Sequence, residues 1–217
     1  MAEGFANAEG RVVVDRLIEV IHENRAYLSE IDGKIGDGDH GINMDKGFQM
    51  TKDRLEAGMS MSDALKTLGR TLLMEIGGSM GPLYGRFFKA MAKASAGAEV
   101  VDIEVFTGML EAGYAAIQEL GDAKPGDKTM VDTLDPAVSA MRKAARDGTG
   151  DLAAALDAMV EGASAGWKST EDMTARIGRA SRLGERSRGV LDAGATSCRL
   201  ILKSMAETVK GGAGAPG

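Results

Sequence analysis

From Arg11 onward the apolar positions Val14, Leu17, Ile18, Ile21 and Leu28 recur at the spacing of one helix face, which predicts an amphipathic helix running toward residue 32. The same stripe returns along the chain. Met44, Gly47, Phe48 and Leu55 mark a second helix over about 42–57, ended by Gly58 and a turn at Ser60–Ser62. Ser62 and Asp63 open a third, with Ala64, Leu65, Leu68, Leu72 and Ile76 inward, and a fourth passes through Phe87, Phe88 and Met91. Asp102 starts a fifth, whose face is Val105, Phe106, Met109, Leu110 and Ile117. Thr129 or Asp127 caps a sixth along Val131, Leu134, Val138 and Met141, where Pro136 either begins the regular portion or kinks it. Asp151 caps an Ala-rich seventh ending near Trp167. The last helix spans about 195–209, with Leu200, Ile201, Met205 and Val209. With no convincing strand and no repeat, the pattern predicts an all-α, antiparallel bundle over 11–209, between a frayed 1–10 and a flexible tail over 210–217. His22 falls on or beside the buried face of the first helix and reads as structural.

Composition agrees with helices. Aromatics are only 4% and Ala, Met, Leu and Gly are plentiful, a mixture that suits neither a sandwich nor a barrel of strands. Most of the methionines are core filler at helical spacing; Met80 and Met130 alone sit where a ligand role is considered. A net charge of −6 argues against a general nucleic-acid binder, which needs a basic face. The single Cys198 excludes an internal disulfide and suits a reducing compartment. No basic-then-apolar leader and no membrane-length apolar run are visible, so the expectation is a cytoplasmic protein without membrane contact.

The chemistry concentrates in three loops. Asp32-Gly-Lys-Ile-Gly-Asp37-Gly-Asp39-His40-Gly-Ile-Asn43 packs three carboxylates, four glycines, a histidine and an asparagine into twelve residues. Closely spaced carboxylates repel unless a cation lies between them, and Mg²⁺ takes a few carboxylates with water and phosphate. The alternative is turn chemistry alone, since Asp caps helices and Gly takes positive φ. An EF-hand register from Asp37 fails, because Gly41 would fall at its fifth position and Phe48 at the bidentate Glu. Gly77-Gly-Ser79-Met80-Gly-Pro-Leu-Tyr-Gly85 feeds a helix N-terminus and is either an anion cradle or a tight interhelical turn; it is not a Walker A loop. Gly178-Arg179-Ala-Ser-Arg-Leu-Gly-Glu-Arg-Ser-Arg-Gly189 is a basic cluster in an acidic chain, suited to phosphate or to a solvated surface of ion pairs.

Taken with Pro125-Gly-Asp-Lys-Thr-Met130, these motifs resemble, in order and over nearly the whole length, the nucleotide-binding L subunit of dihydroxyacetone kinases. The resemblance implies an eight-helix antiparallel barrel with the nucleotide site in loops at one end. It implies that Asp32, Asp37 and Asp39 hold two Mg²⁺ ions that bridge the phosphates of ADP or ATP. His40, Gly41, Ile42, Asn43, Ser79 and Met80 would lie against the nucleotide. Gly121, Met130, Arg179, Asp192, Ala193 and Gly194 would line the rest. Met80 stands where the family usually has a small residue or Ser, and Gly189-Val-Leu-Asp-Ala-Gly194 replaces its common Gly-His-Gln-Asp-Pro-Gly. The implied function is phosphoryl transfer to dihydroxyacetone, or a ketose such as erythrulose, carried by a separate K subunit. A phosphotransferase-system protein is a further implied partner if the nucleotide is a resident ADP. The competing readings are a fatty-acid-kinase-like nucleotide domain and a non-catalytic nucleotide-binding regulator.

Overall fold

Asp102 and Asp151 act as their positions predict: their side chains accept from the N–H groups of Val105 and Ala154, both at 2.9 Å, and start helices there. Thr129 caps likewise and closes a capping box with Asp132, while Ser60, two residues before the expected start, caps the third predicted helix through Asp63. The computed structural model describes residues 4–148 and 150–212. Among these the α-helices are α1 (Arg11–Glu23), α2 (Arg25–Ile35), α3 (His40–Lys52), α4 (Met61–Glu75), α5 (Met80–Ser95), α6 (Ile103–Gln118), α7 (Met130–Arg146), α8 (Leu152–Ser169) and α9 (Ala193–Gly212).

The predicted first helix is two. It breaks at Asn24, whose side chain turns back onto the Val20 carbonyl at 2.8 Å and satisfies one of the orphan acceptors of α1. From α2 to α9 consecutive helices pack as antiparallel neighbours, and α1 packs on α9, closing the bundle around one apolar core that includes Leu17, Met44, Phe48, Leu65, Phe88, Phe106, Leu134 and Met205. Pro136 lies inside α7 and leaves the Asp132 carbonyl without its usual N–H partner. At that carbonyl α8 comes close: a Cβ on Gly166 would stand 2.0 Å from it, so only glycine permits the approach.

Three expectations need correction. Residues 5–10 are not frayed: β1 (Phe5–Ala6) pairs antiparallel with β2 (Val100–Val101), a short strand pair unseen in the sequence pattern. Asn7 is buried, with its amide on Ser62 Oγ, the Ser95 carbonyl and the Ala98 carbonyl. The final helix extends to Gly212, against which the Phe5 ring packs, so 210–212 are not tail; residues 1–3 and 213–217 lie outside the described residues. His22 is not in the core: its side chain is 59% exposed, with Nδ1 2.9 Å from Asp45. Among the described residues no helix is long and apolar enough to cross a membrane.

Candidate nucleotide and metal site

The chain from Ile35 to His40 can leave α2 and re-enter α3 within four residues because Gly38 adopts φ +76°, a left-handed turn open to glycine. The two helices that flank it touch at the backbone. A Cβ on Gly41 would lie 2.0 Å from the Arg25 carbonyl and 2.7 Å from Ser29 Oγ. This clamp holds Asp32, on the last turn of α2, beside Asp37 and Asp39 of the loop. Carboxylate oxygens of all three lie within 4.8 Å of one another. Asp32 is half-buried and accepts from the His40 N–H at 3.3 Å, whereas Asp37 and Asp39 are exposed. Such a set is three hard oxygen donors under mutual repulsion, the donor chemistry that a divalent cation requires. Arg179, arriving from 142 residues later in the chain, forms an ion pair with Asp37.

Behind the carboxylates, four helix N-termini meet. His40, the first residue of α3, places Nε2 2.9 Å from Ser197 Oγ on α9. Ser197 Oγ lies 2.7 Å from the Tyr84 hydroxyl of α5, and that hydroxyl also donates to the Gly194 carbonyl at 3.2 Å. A Cβ on Gly194 would meet the Met130 backbone N–H of α7 at 3.6 Å. The first turns of α3, α5, α7 and α9 therefore share one end, with their free N–H groups and dipole-positive ends gathered beside the acidic loop. Burial pulls the His40 imidazole below its ordinary pKa, against the opposing charge of Asp32, and so favours the neutral ring.

The other expected positions are placed as follows. Ile42 is 58% exposed on the outer face of α3, and Asn43 is half-buried one turn into it. Ser79 is exposed and makes no side-chain cap, while Met80 is buried, so at position 80 the group left for a ligand is the backbone N–H. Gly121 is exposed just beyond α6, with nothing crowding its flank, at the end where α5 begins. Met130 is buried at the first turn of α7. Asp192 accepts from the Ala195 N–H at 2.7 Å, fixing the Asp192-Ala193-Gly194 turn ahead of α9. Burial pushes the Asp192 carboxyl up to about 7, with the Ala195 N–H and Lys128 pulling it down and Asp132 and Asp32 pushing it further up.

Sequence reading assigned no role to Lys128, Tyr84 or Ser197. Tyr84 and Lys128 stand inside quoted motifs, which was their only signal; Ser197 follows the last of them as an ordinary helical serine. Cys198 offers no nucleophile: it is buried, and its thiol is pushed up to about 12.

The DAK2 domain profile matches residues 34–207. The chain belongs to the DAK2 domain family. It is 41% identical over 192 residues to the ADP-binding subunit DhaL of PEP-dependent dihydroxyacetone kinase 1 from Listeria innocua, covering 88% of this chain and 90% of that subunit. It is 34% identical over 202 residues to D-erythrulose kinase of Mycolicibacterium smegmatis, covering 90% of this chain and 34% of that longer one. Among solved structures, the dihydroxyacetone kinase of C. freundii in complex with AMP-PNP and Mg²⁺ superposes with a TM-score of 0.67 at 25% identity, over 96% of this chain and 35% of that one. The expected all-helical fold, the ADP-binding subunit type and the class of phosphotransferases with an alcohol acceptor are met by these findings.

Proposed function

We propose that this chain is the nucleotide- and Mg²⁺-binding subunit of a dihydroxyacetone-type kinase, passing a phosphoryl group to a small ketose held by a separate K-type subunit. The observation that carries the reading is the meeting of the Asp32, Asp37 and Asp39 carboxylates with Arg179 at an end where four helix N-termini converge. In this reading the three carboxylates hold two Mg²⁺ ions, whose chemistry is to neutralise and align the phosphates. The chain's own part is binding and orientation. The N–H groups at Ser79, Met80 and Met130 face anionic oxygens, and His40, Gly41, Ile42, Asn43, Gly121 and the Asp192-Ala193-Gly194 turn wall the nucleotide. Arg179 balances charge opposite Asp37.

The donor is read as a resident ADP recharged by a phosphotransferase-system protein, supported by the PEP dependence of the Listeria relative. Exchangeable ATP would suit longer relatives such as the erythrulose kinase, which also widens the acceptor from dihydroxyacetone to related ketoses. The one cysteine among the described residues, Cys198, is buried and offers no nucleophile for a sugar. Exposed apolar side chains on the first turn of α3, the last turn of α4 and the α8–α9 connection, Ile42, Met74 and Ile177 at 58%, 70% and 40%, suit a docking partner that excludes water. The working compartment in this reading is the cytoplasm.

The test is to assay ketose phosphate formation by this chain alone and then with its K-type partner, after weighing the purified protein by native mass spectrometry for retained ADP. Product is expected only with the partner present. Robust turnover by the chain alone would give it an acceptor site of its own and end the divided-kinase reading.

A further inference from the structure

Between α8 and α9 the chain runs for over twenty residues without an α-helix, in two 3-10 turns (Thr170–Asp172 and Arg179–Ser187), and this strap carries Arg179 to Asp37. It is held partly by bonds of its own, such as the Gly189 N–H to the Glu171 carbonyl at 2.7 Å and the Ala175 N–H to Ser187 Oγ at 2.9 Å, and partly from outside. Lys128 is only 2% exposed, and its Nζ donates to four backbone carbonyls: Thr170 at 2.7 Å, Met173 at 3.1 Å, Ser187 at 2.7 Å and Val190 at 2.5 Å. Those carbonyls sample both ends of the strap. The backbone of residue 128 is held at φ +64°, the one described non-glycine residue in the left-handed region, so the chain accepts a disfavoured conformation to aim this side chain inward. A buried ammonium is tolerated only when its protons are satisfied, and here three N–H groups are shared among four acceptors. Two further bonds follow the same line: the Arg176 N–H to the Asp127 carbonyl at 3.1 Å, and the Asp192 N–H to Thr170 Oγ1 at 3.1 Å.

We propose that Lys128 is a positioning residue for nucleotide capture: its buried ammonium pins the strap from both ends and so presents Arg179 to the acidic loop. The claim that capture depends on it rests on the functional reading above; the claim that the strap depends on it does not. A neutral side chain that replaces the stem fills most of the space but takes the ammonium donor from four inward carbonyls, of which Thr170 keeps the Met173 N–H at 3.3 Å. The strap then opens locally while the helices, held by the separate apolar core, remain folded.

The experiment uses the full chain with Lys128→Met, which keeps the stem, and Lys128→Ala, which leaves room for n-propylammonium. Buffers contain neither potassium nor ammonium, because carbonyl oxygens at this spacing would also suit a bare monovalent cation. With helical circular dichroism as the check on folding, trypsin nicking at strap arginines is expected to accelerate about tenfold or more, and Mg²⁺–ADP affinity by calorimetry to fall about tenfold. n-Propylammonium restores both in Lys128→Ala, and n-propanol, of equal size but uncharged, restores neither. Wild-type nicking rates in a folded variant, equal rescue by n-propanol, or an opened strap with unchanged affinity would each overturn the proposal. Loss of the helical signal in both variants would overturn it too, by making Lys128 a requirement of the whole fold. If the wild-type chain itself fails to bind Mg²⁺–ADP, the functional reading has failed, and nicking and rescue still decide whether Lys128 pins the strap.

Discussion

The acidic loop and the arginine strap meet at the Asp37–Arg179 pair, yet they are held in opposite ways. The loop is fastened locally. The Gly36 N–H donates to the Asp32 carbonyl at 2.5 Å, the His40 N–H to the Asp32 carboxylate at 3.3 Å, and the Asn43 N–H to the Asp39 carbonyl at 2.9 Å. The strap, beyond the bonds it makes within itself, is fastened from afar, through a lysine 42 to 62 residues earlier in the chain. Local fastening leaves a trace in sequence because the residues that make the bonds adjoin the residues they hold. Distant fastening does not. The same contrast assigns chemistry: the loop presents fixed negative charge, and the strap brings a positive one that local opening can withdraw.

The comparison breaks most severely at the loop. Replacing Asp37 or Asp39 by Asn removes one charged oxygen donor from a set of three. Because the carboxylates repel one another and contribute little to folding, the helical fold is expected to survive. Phosphoryl transfer with the K-type partner, in contrast, is expected to fall by about a hundredfold or more. Steady-state assays beside circular dichroism measure both. Near-normal turnover in either variant would remove the metal assignment and leave the loop as turn chemistry.

A smaller effect is expected from the strap side. Arg179→Ala deletes a side chain that is 62% exposed, in a pair whose contribution to stability is of the order expected for surface ion pairs, about 0–1 kcal/mol. The melting temperature should barely move. Mg²⁺–ADP affinity should fall about tenfold, with Arg179→Lys retaining part of it as a point charge without the planar fork. Equal affinity in all three proteins would mean that the strap only borders the site, and the contrast between a fixed and a movable charge would fail.

Legibility followed the same division of local from distant bonds. The caps at Asp102, Thr129 and Asp151 and the helical faces between them could be read because side chain and backbone partner lie within three residues. The closeness of Asp32, Asp37 and Asp39 could be anticipated from their spacing. The break at Asn24 was hidden because the apolar stripe runs through it and no Gly or Pro marks it. Asn7 read as part of a polar, frayed start because its partners, Ser62, Ser95 and Ala98, are over fifty residues away. His22 fell near an apolar stripe, but its ring lies exposed with Nδ1 on Asp45 of another helix, a partner that the stripe does not mark. Lys128 was hidden for the same reason as Asn7. A lysine in a polar turn looks solvated until four carbonyls from a later segment are folded around it.

A pH dependence sharpens the comparison at the point where the strap ends. Asp192, half-buried ahead of α9, has its carboxyl pushed up to about 7 by burial, against an unfolded value of about 3.9. The folded chain therefore holds this proton more tightly than the unfolded chain does. Between about pH 4 and pH 7 the folded state binds more protons at this position, so its contribution to stability is present below about pH 4 and is lost as the pH rises toward 7. Asp192→Asn has no such proton to lose. Its carboxamide oxygen can still accept from the Ala195 N–H, so the α9 turn has a replacement partner. In the absence of nucleotide and Mg²⁺, the melting temperature of the wild-type chain minus that of Asp192→Asn is expected to decrease by several degrees, on the order of 5–10 °C, from pH 4.5 to pH 7.5. The loop carboxylates are present in both proteins and largely cancel in the difference. A flat difference would mean that the Ala195 N–H and the nearby Lys128 ammonium keep Asp192 ionised throughout. The strap would then end, like the loop, on a fixed negative charge.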